Sequence, residues 1–211
     1  MAKRSIKVLL VGDGAVGKTS LCSVFVHHSF PREYVPSVLD QIFTNINIDG
    51  KTYVLNIWDT AGQEDFDRLR VLSYPNTDVF VVCYAVNCQN SFTNLTAKWI
   101  PELTQHYPNA PFILVGTKVD MRHASENEGV FISYQNGCRI AKQIGASYFV
   151  ECSALNGTNV IEVFTRAAET ALGLHNTKSN NAERIKILLE DERVLPKWMN
   201  HQVLEQVTLW R

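Results

Sequence analysis

The sequence predicts an α/β fold with a mostly parallel six-stranded sheet, one antiparallel edge strand and helices on both faces. Three observations favour this fold. Short β-branched apolar runs alternate with segments of helical periodicity, which is typical of parallel strands buried on both faces. One pair of runs flanks Asp49-Gly50, a hairpin turn signal. Polar and glycine-rich motifs directly follow the strands, at the sheet edge where such folds bind ligands.

The predicted elements follow one another along almost the whole chain. Ser5–Val11 is a strand, and after a glycine-rich segment Leu21, Cys22 and Phe25 recur at helical spacing. Residues 29–40 contain many turn formers and are predicted as a loop. The composition changes after Gly173, so we predict one domain over residues 1–175 and a linker with a helical extension over residues 176–211. The other predicted strands are residues 43–48, 53–58, 79–84, 112–115 and 148–150, and the other predicted helices are residues 91–105, 135–144 and 160–172.

Composition restricts the classes of partner. The 211 residues are 45% hydrophobic, enough for a buried core, and 20 Lys and Arg balance 21 Asp and Glu. This balance argues against nucleic acid or an anionic membrane as a default partner. The five cysteines are odd in number and widely spaced, which predicts that most are small buried hydrophobes in a reducing compartment. We therefore expect a cytoplasmic protein and leave peripheral membrane contact open.

The first motif is a glycine-rich turn between the first strand and the first helix. In Gly12-x-x-x-x-Gly17-Lys18-Thr19, the glycines allow backbone N–H groups to surround phosphate oxygens at a helix N-terminus. Lys18 would reach the β- and γ-phosphates, and the Thr19 hydroxyl would bind Mg²⁺. A purely structural turn is the alternative, which the strand-to-helix context disfavours. The predicted phosphate-binding residues are Gly14, Ala15, Val16, Gly17, Lys18, Thr19 and Ser20.

The second motif, Asp59-Thr60-Ala61-Gly62-Gln63-Glu64, follows the returning strand of the hairpin. The Asp59 carboxylate suits Mg²⁺, directly or through water. Gly62 offers a backbone N–H near the γ-phosphate, and Gln63 both donates and accepts, so it can orient a water for in-line attack. The sequence thus predicts Gln63, Lys18 and Gly62 as the catalytic residues.

Two further motifs predict recognition of guanine. Thr117-Lys118-Val119-Asp120 follows a strand, and a carboxylate at Asp120 accepts two hydrogen bonds from guanine that adenine cannot donate. The Lys118 stem would lie over the purine. Ser153-Ala154-Leu155 follows the last strand and would place the Ala154 N–H on the guanine carbonyl. Either segment alone is equally compatible with an ordinary loop, whereas four motifs in this order indicate a guanine-nucleotide site.

With these motifs, about residues 4–173 resemble a Ras-like small GTPase of the Rho/Rac subfamily, a P-loop NTPase fold. The segments that carry the resemblance are Gly12-Asp13-Gly14-Ala15-Val16-Gly17-Lys18-Thr19, Trp58-Asp59-Thr60-Ala61-Gly62-Gln63-Glu64-Asp65-Phe66-Asp67-Arg68-Leu69-Arg70, Leu72-Ser73-Tyr74-Pro75, Thr77-Asp78-Val79-Phe80, Lys98-Trp99-Ile100-Pro101-Glu102, Thr117-Lys118-Val119-Asp120 and Glu151-Cys152-Ser153-Ala154-Leu155.

The resemblance implies a signalling switch that binds GTP or GDP with Mg²⁺ and hydrolyses GTP slowly. Its implied partners are an exchange factor, a GTPase-activating protein and effectors in actin cytoskeleton or membrane-traffic regulation. Tyr34 and Ser37, with residues 62–73, would be drawn to the γ-phosphate and Mg²⁺ and relax on hydrolysis. Ser37 would be a Mg²⁺ ligand. Phe30 would pack edgewise on guanine, or simply anchor its loop as a hydrophobe.

Two further implications concern hydrolysis. The family tolerates no side chain at the position of Gly14, because a Cβ there crowds Gln63 and the arginine of an activating protein. No arginine of this chain occupies a finger position, so hydrolysis should be slow without that protein.

The sequence departs from the subfamily around the loop that contacts effectors. Ser37 stands where Thr is usual, which predicts a weaker hold on Mg²⁺ and a more mobile loop. Leu39 and Ile42 replace two aromatic residues, which argues against the common effectors. The helical insert before Ile132 is shortened, so residues 125–129 would form one turn at most.

The tail departs furthest. No cysteine lies four residues from the last residue of this sequence and no polybasic patch replaces it, so no lipidation site is visible. Three interpretations of its apolar stripes stay open: packing on the protein's own domain, a partner-binding or self-associating helix, and a weak interfacial helix anchored by Trp198 and Trp210. The stripes are Ile185, Leu188 and Leu189, and Met199, Val203, Val207 and Trp210.

Two alternatives to a hydrolysing switch are a GTP-loaded scaffold that acts through its divergent loop and tail, and an ATPase or nucleotide kinase. Intact Gly14, Asp59 and Gln63 weigh against the scaffold. The kinase interpretation requires ATP to compete for the site.

Overall fold

The structure is a computed structural model. It describes residues 4–31, 39–123 and 131–174. Four sequence predictions lie outside these ranges: those for Tyr34, for Ser37, for the shortened insert at residues 125–129 and for the tail at residues 176–211.

The centre of the fold is a six-stranded sheet in the order β2-β3-β1-β4-β5-β6. All neighbouring strands are parallel except the β2–β3 hairpin at the edge. Asp49 and Gly50 turn this hairpin with φ of 50° and 74°, values that favour small or glycine residues. The predicted sheet is therefore confirmed. The strands are β1 (Ser5–Val11), β2 (Leu39–Ile48), β3 (Lys51–Thr60), β4 (Val79–Ala85), β5 (Phe112–Thr117) and β6 (Phe149–Glu151).

Helices cover both faces of the sheet. Alternate residues of β1 enter two different core clusters, Leu10 on one face and Leu9 on the other. α1 and α6 cover the first face, where Phe25 and Phe164 stack with ring centroids 4.0 Å apart. α3, α4 and α5 cover the second, around the fully buried Trp99. The helices are α1 (Lys18–His27), α2 (Asp67–Leu72), α3 (Gln89–Asn94), α4 (Ile100–His106), α5 (Tyr134–Ile144) and α6 (Val160–Ala171).

Before β4, the structure corrects one predicted boundary and adds one helix that is not predicted. β2 begins at Leu39, so residues 39 and 40 belong to the edge strand and not to the loop predicted over residues 29–40. A 3₁₀ turn over Glu64–Phe66 and the helix α2 lie where no helix is predicted. α2 has six residues, which is too short for a helical repeat of apolar positions to show in the sequence.

The helix predicted over residues 91–105 is not continuous. It starts at Gln89 and contains a π-helical turn over Leu95–Trp99, in which the Ile100 N–H donates to the Leu95 carbonyl. Pro101 provides a physical reason, since its ring has no N–H and would press on the carbonyl four residues earlier in an α-helix. A wider turn relieves that clash.

Two further features of the fold are the burial of the cysteines and the apolarity of the helices. Cys22, Cys83 and Cys152 are buried and Cys88 and Cys138 are exposed, so the prediction that most are buried is confirmed. Among the helices in the described ranges, none has both the length and the apolarity needed to cross a bilayer.

Candidate active site

The phosphate-binding loop joins β1 to α1 in a conformation that depends on glycine. Gly12 has a φ of 141°, and a Cβ there would lie 2.3 Å from the carbonyl oxygen of Cys83 on β4. Gly17 has a φ of 100° immediately before α1, and Ala15 also has a positive φ, of 60°. The loop thus turns tightly against the sheet and ends at a helix N-terminus, as the phosphate-binding interpretation requires.

Lys18 crosses this loop from the first turn of α1. Its side chain is buried, and Nζ donates to the carbonyls of Gly12 at 2.6 Å and Asp13 at 2.8 Å. Burial lowers the pKa of Lys18, while the nearby carboxylates Asp59 and Asp13 act in the opposite direction. Among the described residues, the ammonium donates to backbone carbonyls, so its positive charge is held at the loop where an anionic ligand is predicted.

One cavity of about 610 Å³ opens beside the loop. This volume lies within the range of small-molecule sites in proteins. Residues from four places in the sequence line it: Gly14, Lys18 and Thr19 from the loop and α1, Asp59 from β3, Gln63 after β3, and Lys118 after β5. The structure therefore brings together the residues predicted for phosphate, metal and water.

The residues for Mg²⁺ fit that ion. Thr19 and Asp59 line the same cavity, and Asp59 is 1% exposed at the end of β3. Mg²⁺ in nucleotide sites binds through one or two carboxylates together with phosphate oxygens and water. One hydroxyl and one carboxylate beside a phosphate cradle form such a donor set. The third predicted ligand, Ser37, lies outside the described residues.

Gly62 packs directly on the phosphate-binding loop. A Cβ on Gly62 would lie 2.2 Å from the Gly12 carbonyl oxygen and 2.4 Å from the Gly14 nitrogen, so only glycine permits this approach. Gln63 follows at the cavity edge and is exposed. A Cβ on Gly14 would lie 3.7 Å from Gln63 Cγ, an ordinary contact, so the expected crowding starts with atoms beyond the Cβ.

Lys118 and Thr117 attach the end of β5 to the phosphate-binding loop. The Thr117 hydroxyl shares its one proton between the carbonyls of Val16 at 2.5 Å and Tyr84 at 3.0 Å. Lys118 Nζ donates to the Ala15 carbonyl at 2.7 Å, and its φ is 62°. Thr117 and Val16 thus have a structural contact with each other and are not among the cavity-lining residues, whereas Lys118 is.

Asp120 and Ser153 meet beyond the ends of β5 and β6. Ser153 Oγ donates to Asp120 Oδ1 at 2.5 Å, and the Val119 N–H donates to the Cys152 carbonyl at 3.2 Å. The two predicted base-recognition segments are therefore adjacent. Lys118 of the first segment lines the cavity, whereas Asp120, Ser153, Ala154 and Leu155 are not among its lining residues. Ala154 is partly buried and Leu155 is 61% exposed beside them.

Two other predicted residues lie at the cavity. Phe30 is 44% exposed and lines it, which is compatible with either a base contact or a loop anchor. Ser20 also lines it.

The sequence reasoning missed a polar network behind the loop. Asp13 accepts hydrogen bonds from Asn94 Nδ2 and Trp99 Nε1, both at 2.7 Å. The buried Arg70 lies with Cζ 4.6 Å from the centre of the Trp99 ring. Its other partners lie in α2, in α4 and directly before Gly62. Asp13, Arg70 and Trp99 belong to the segments that carry the resemblance, but their separation in the sequence gives no local signal of contact.

The comparison with known protein families agrees with the site. A family model described as Ras family matches residues 7–173. The match begins in β1 and extends to the residues just after α6, so it includes every site segment described above.

Proposed function

Because the chain belongs to the Ras family, we propose that it is a Rho/Rac-like switch that binds GTP and GDP with Mg²⁺ and hydrolyses GTP slowly. In its GTP form it would bind effectors and signal, in cytoskeletal or membrane-traffic regulation as the resemblance implies. The family membership supports the GTP-binding switch. The subfamily, the hydrolysis by this chain and the partners are our proposals.

The observation that carries the proposal is the placement of Lys18 and Gln63 on one cavity, with Gly62 packed against the loop between them. Lys18 would bind the β- and γ-phosphate oxygens and neutralise the charge that develops on them. Gln63 would accept a hydrogen bond from the attacking water through its side-chain oxygen and so aim the water in line. Mg²⁺, when bound at Thr19 and Asp59, would supply further charge neutralisation.

No arginine lines the cavity in the part of the chain that the structure describes, which supports slow hydrolysis. Among the described residues that line it, the cations are Lys18 and Lys118, with no arginine. An arginine supplied by a partner accelerates GTP hydrolysis by about 10³- to 10⁵-fold in GTPases of this kind. We therefore propose that an activating protein completes the site.

Contacts between the subfamily motifs support the Rho/Rac assignment. Asp13, Arg70 and Trp99 come from three of the segments that carry the resemblance, and they form one network. Tyr74 Oη donates to Glu102 within the same network. The motifs that distinguish the subfamily thus act as a packed unit in this chain.

We propose that residues 1–175 are the GTP-binding domain and that residues 176–211 are a separate element. An exchange factor and an activating protein would act on this domain. Leu39, which replaces an aromatic residue, is 37% exposed in the edge strand β2, so a divergent surface is presented to effectors. Free buried thiols suit a reducing compartment and support a cytoplasmic location. We propose no contact with a membrane surface.

Calorimetry followed by single-turnover hydrolysis tests the function. We expect GTP and GDP to bind tightly in the presence of Mg²⁺, ATP not to compete, and bound GTP to be hydrolysed slowly and faster with an activating protein. Lys18→Ala should abolish binding, whereas Lys142→Ala, on the exposed face of α5, should not change it. Competition by ATP would contradict the guanine assignment. A stable GTP complex that no activating protein turns over would favour the scaffold alternative.

A further inference from the structure

Arg70 is a buried cation outside the cavity that donates four hydrogen bonds to described residues. Its side chain is 1% exposed, although α2 is a short surface helix. Nε and Nη2 donate to the two carboxylate oxygens of Glu102 on α4 at 3.1 and 2.8 Å, and Nη2 also donates to Asp67 at 2.7 Å. Nη1 donates to the Ala61 carbonyl at 3.1 Å. A guanidinium can satisfy these acceptors together because its donors are fixed in a planar fork.

The partners of Arg70 show what it holds in place. Glu102 also accepts a hydrogen bond from the buried Tyr74, so the carboxylate is fixed from two sides. Ala61 immediately precedes Gly62, which cannot move closer to the phosphate-binding loop without overlapping its backbone atoms. The backbone at residues 61–62 is therefore clamped between the loop on one side and Arg70 on the other.

We propose that Arg70 is a positioning residue for GTP hydrolysis: by holding the Ala61 carbonyl from Glu102 of α4, it fixes the backbone that aims Gln63 at the cavity. This inference rests on the proposed hydrolysis and adds a determinant of its rate. Arg70 does not line the cavity and contacts no reacting group. Its contribution comes through orientation, since small displacements of a water-orienting side chain lower rates steeply.

Trp99 connects Arg70 to the phosphate-binding loop. Its ring lies against Arg70 and its Nε1 donates to Asp13. The loop residue and the Ala61 carbonyl are thus fixed from one region of the helices α3 and α4. Arg70 forms no hydrogen bond with Lys18 or with the carbonyls that Lys18 contacts. A change at Arg70 should therefore alter the orientation of Gln63 more than the affinity of the phosphate-binding loop for the nucleotide.

Arg70→Lys tests this proposal, with Arg68→Lys as the matched control on the same helix. Lysine keeps the charge that Glu102 requires but loses the fork that reaches Ala61. At saturating GTP and Mg²⁺, we expect single-turnover hydrolysis to fall about 10-fold or more. We expect nucleotide affinity to stay within about two-fold of the original, and the amide signals of Gly62 and Gln63 to broaden in ¹⁵N NMR spectra. Arg68 is exposed, so its variant should change none of these quantities.

The outcomes separate this inference from the proposed function. If the unmodified protein binds but does not hydrolyse GTP, the proposed function fails. If it hydrolyses GTP and a folded Arg70→Lys variant does so equally fast, the positioning role is wrong. A parallel loss of affinity, melting temperature and rate would assign Arg70 a structural role only and overturn the proposal. Glu102→Gln provides a second variant if Arg70→Lys does not fold, and a smaller loss in the same direction is expected.

Discussion

Ser153 orients the Asp120 carboxylate. Its hydroxyl donates to Asp120 Oδ1, so we expect the second carboxylate oxygen to be the one that faces the base. Arg122, two residues further on, forms a bidentate ion pair with Glu151 of β6 at 2.5 and 2.7 Å. Single side chains thus link the ends of β5 and β6 and fix the group that we expect to distinguish guanine from adenine.

Replacing Asp120 by Asn should change the base preference. The Asn oxygen would still accept from Ser153, which leaves the amide NH₂ toward the base, where xanthine offers a carbonyl and guanine an amine. We expect GTP affinity to fall about 10- to 100-fold, because the N–H donors of the bound guanine lose their charged acceptor. We also expect xanthosine triphosphate to bind better than GTP. Asp120→Ala is the control that should weaken both. A variant that still prefers GTP in calorimetric titrations would show the base assignment to be wrong.

At Gly14, the effect of a larger side chain should appear in hydrolysis and not in binding. Its φ lies outside the left-handed region, so valine fits the backbone, but its γ carbons extend past a Cβ that is already 3.7 Å from Gln63 Cγ. We expect Gly14→Val to bind GTP within a few-fold of the original affinity. Hydrolysis stimulated by an activating protein should fall by about 100-fold or more. Normal stimulated turnover would remove the crowding of Gln63 from the explanation.

Local sequence patterns predicted the secondary-structure elements whose residues face the core at regular intervals. The six strands, the hairpin turn, the phosphate-binding loop and α5 lie within a few residues of their predicted bounds because burial on both faces and turn chemistry are local properties. The six-residue α2 and the π-helical turn are different. Pro101 gives a local reason for the π-helical turn, but α2 and this turn are also held by the contacts of Arg70 with Glu102 and of Trp99 with Asp13, whose residues are 32 and 86 positions apart. No local pattern encodes such pairs, and Arg70 in a surface motif gives no sign that it is buried.

The π-helical turn places Trp99 where it holds the phosphate-binding loop, so removing its N–H should cost stability. Trp99→Phe keeps most of the ring but leaves one Asp13 oxygen without its donor. We expect the free energy of unfolding to fall by about 1–3 kcal/mol in urea denaturation. Trp58→Phe is the matched control, because Trp58 Nε1 is buried without a hydrogen-bond partner among the described residues, and it should cost less. Equal losses for the two variants would show that the bond to Asp13 contributes little.

For the whole molecule, helices cover both faces of the sheet in the described residues, and the last of them, α6, ends at Ala171. Deleting residues 177–211 should therefore leave GTP and GDP affinities within about two-fold. Deleting residues 163–211 is the matched control, since it removes Phe164 from its stack on Phe25 and should prevent folding.

The melting temperature then distinguishes the interpretations of the tail. Apolar stripes packed on the domain contribute about 1.5–3 kcal/mol per buried side chain, and each kcal/mol corresponds to about 2–4 °C. A drop well above 5 °C would indicate packing, and an unchanged value would indicate a partner-binding element. Loss of nucleotide binding in the 1–176 chain would contradict a site confined to the domain.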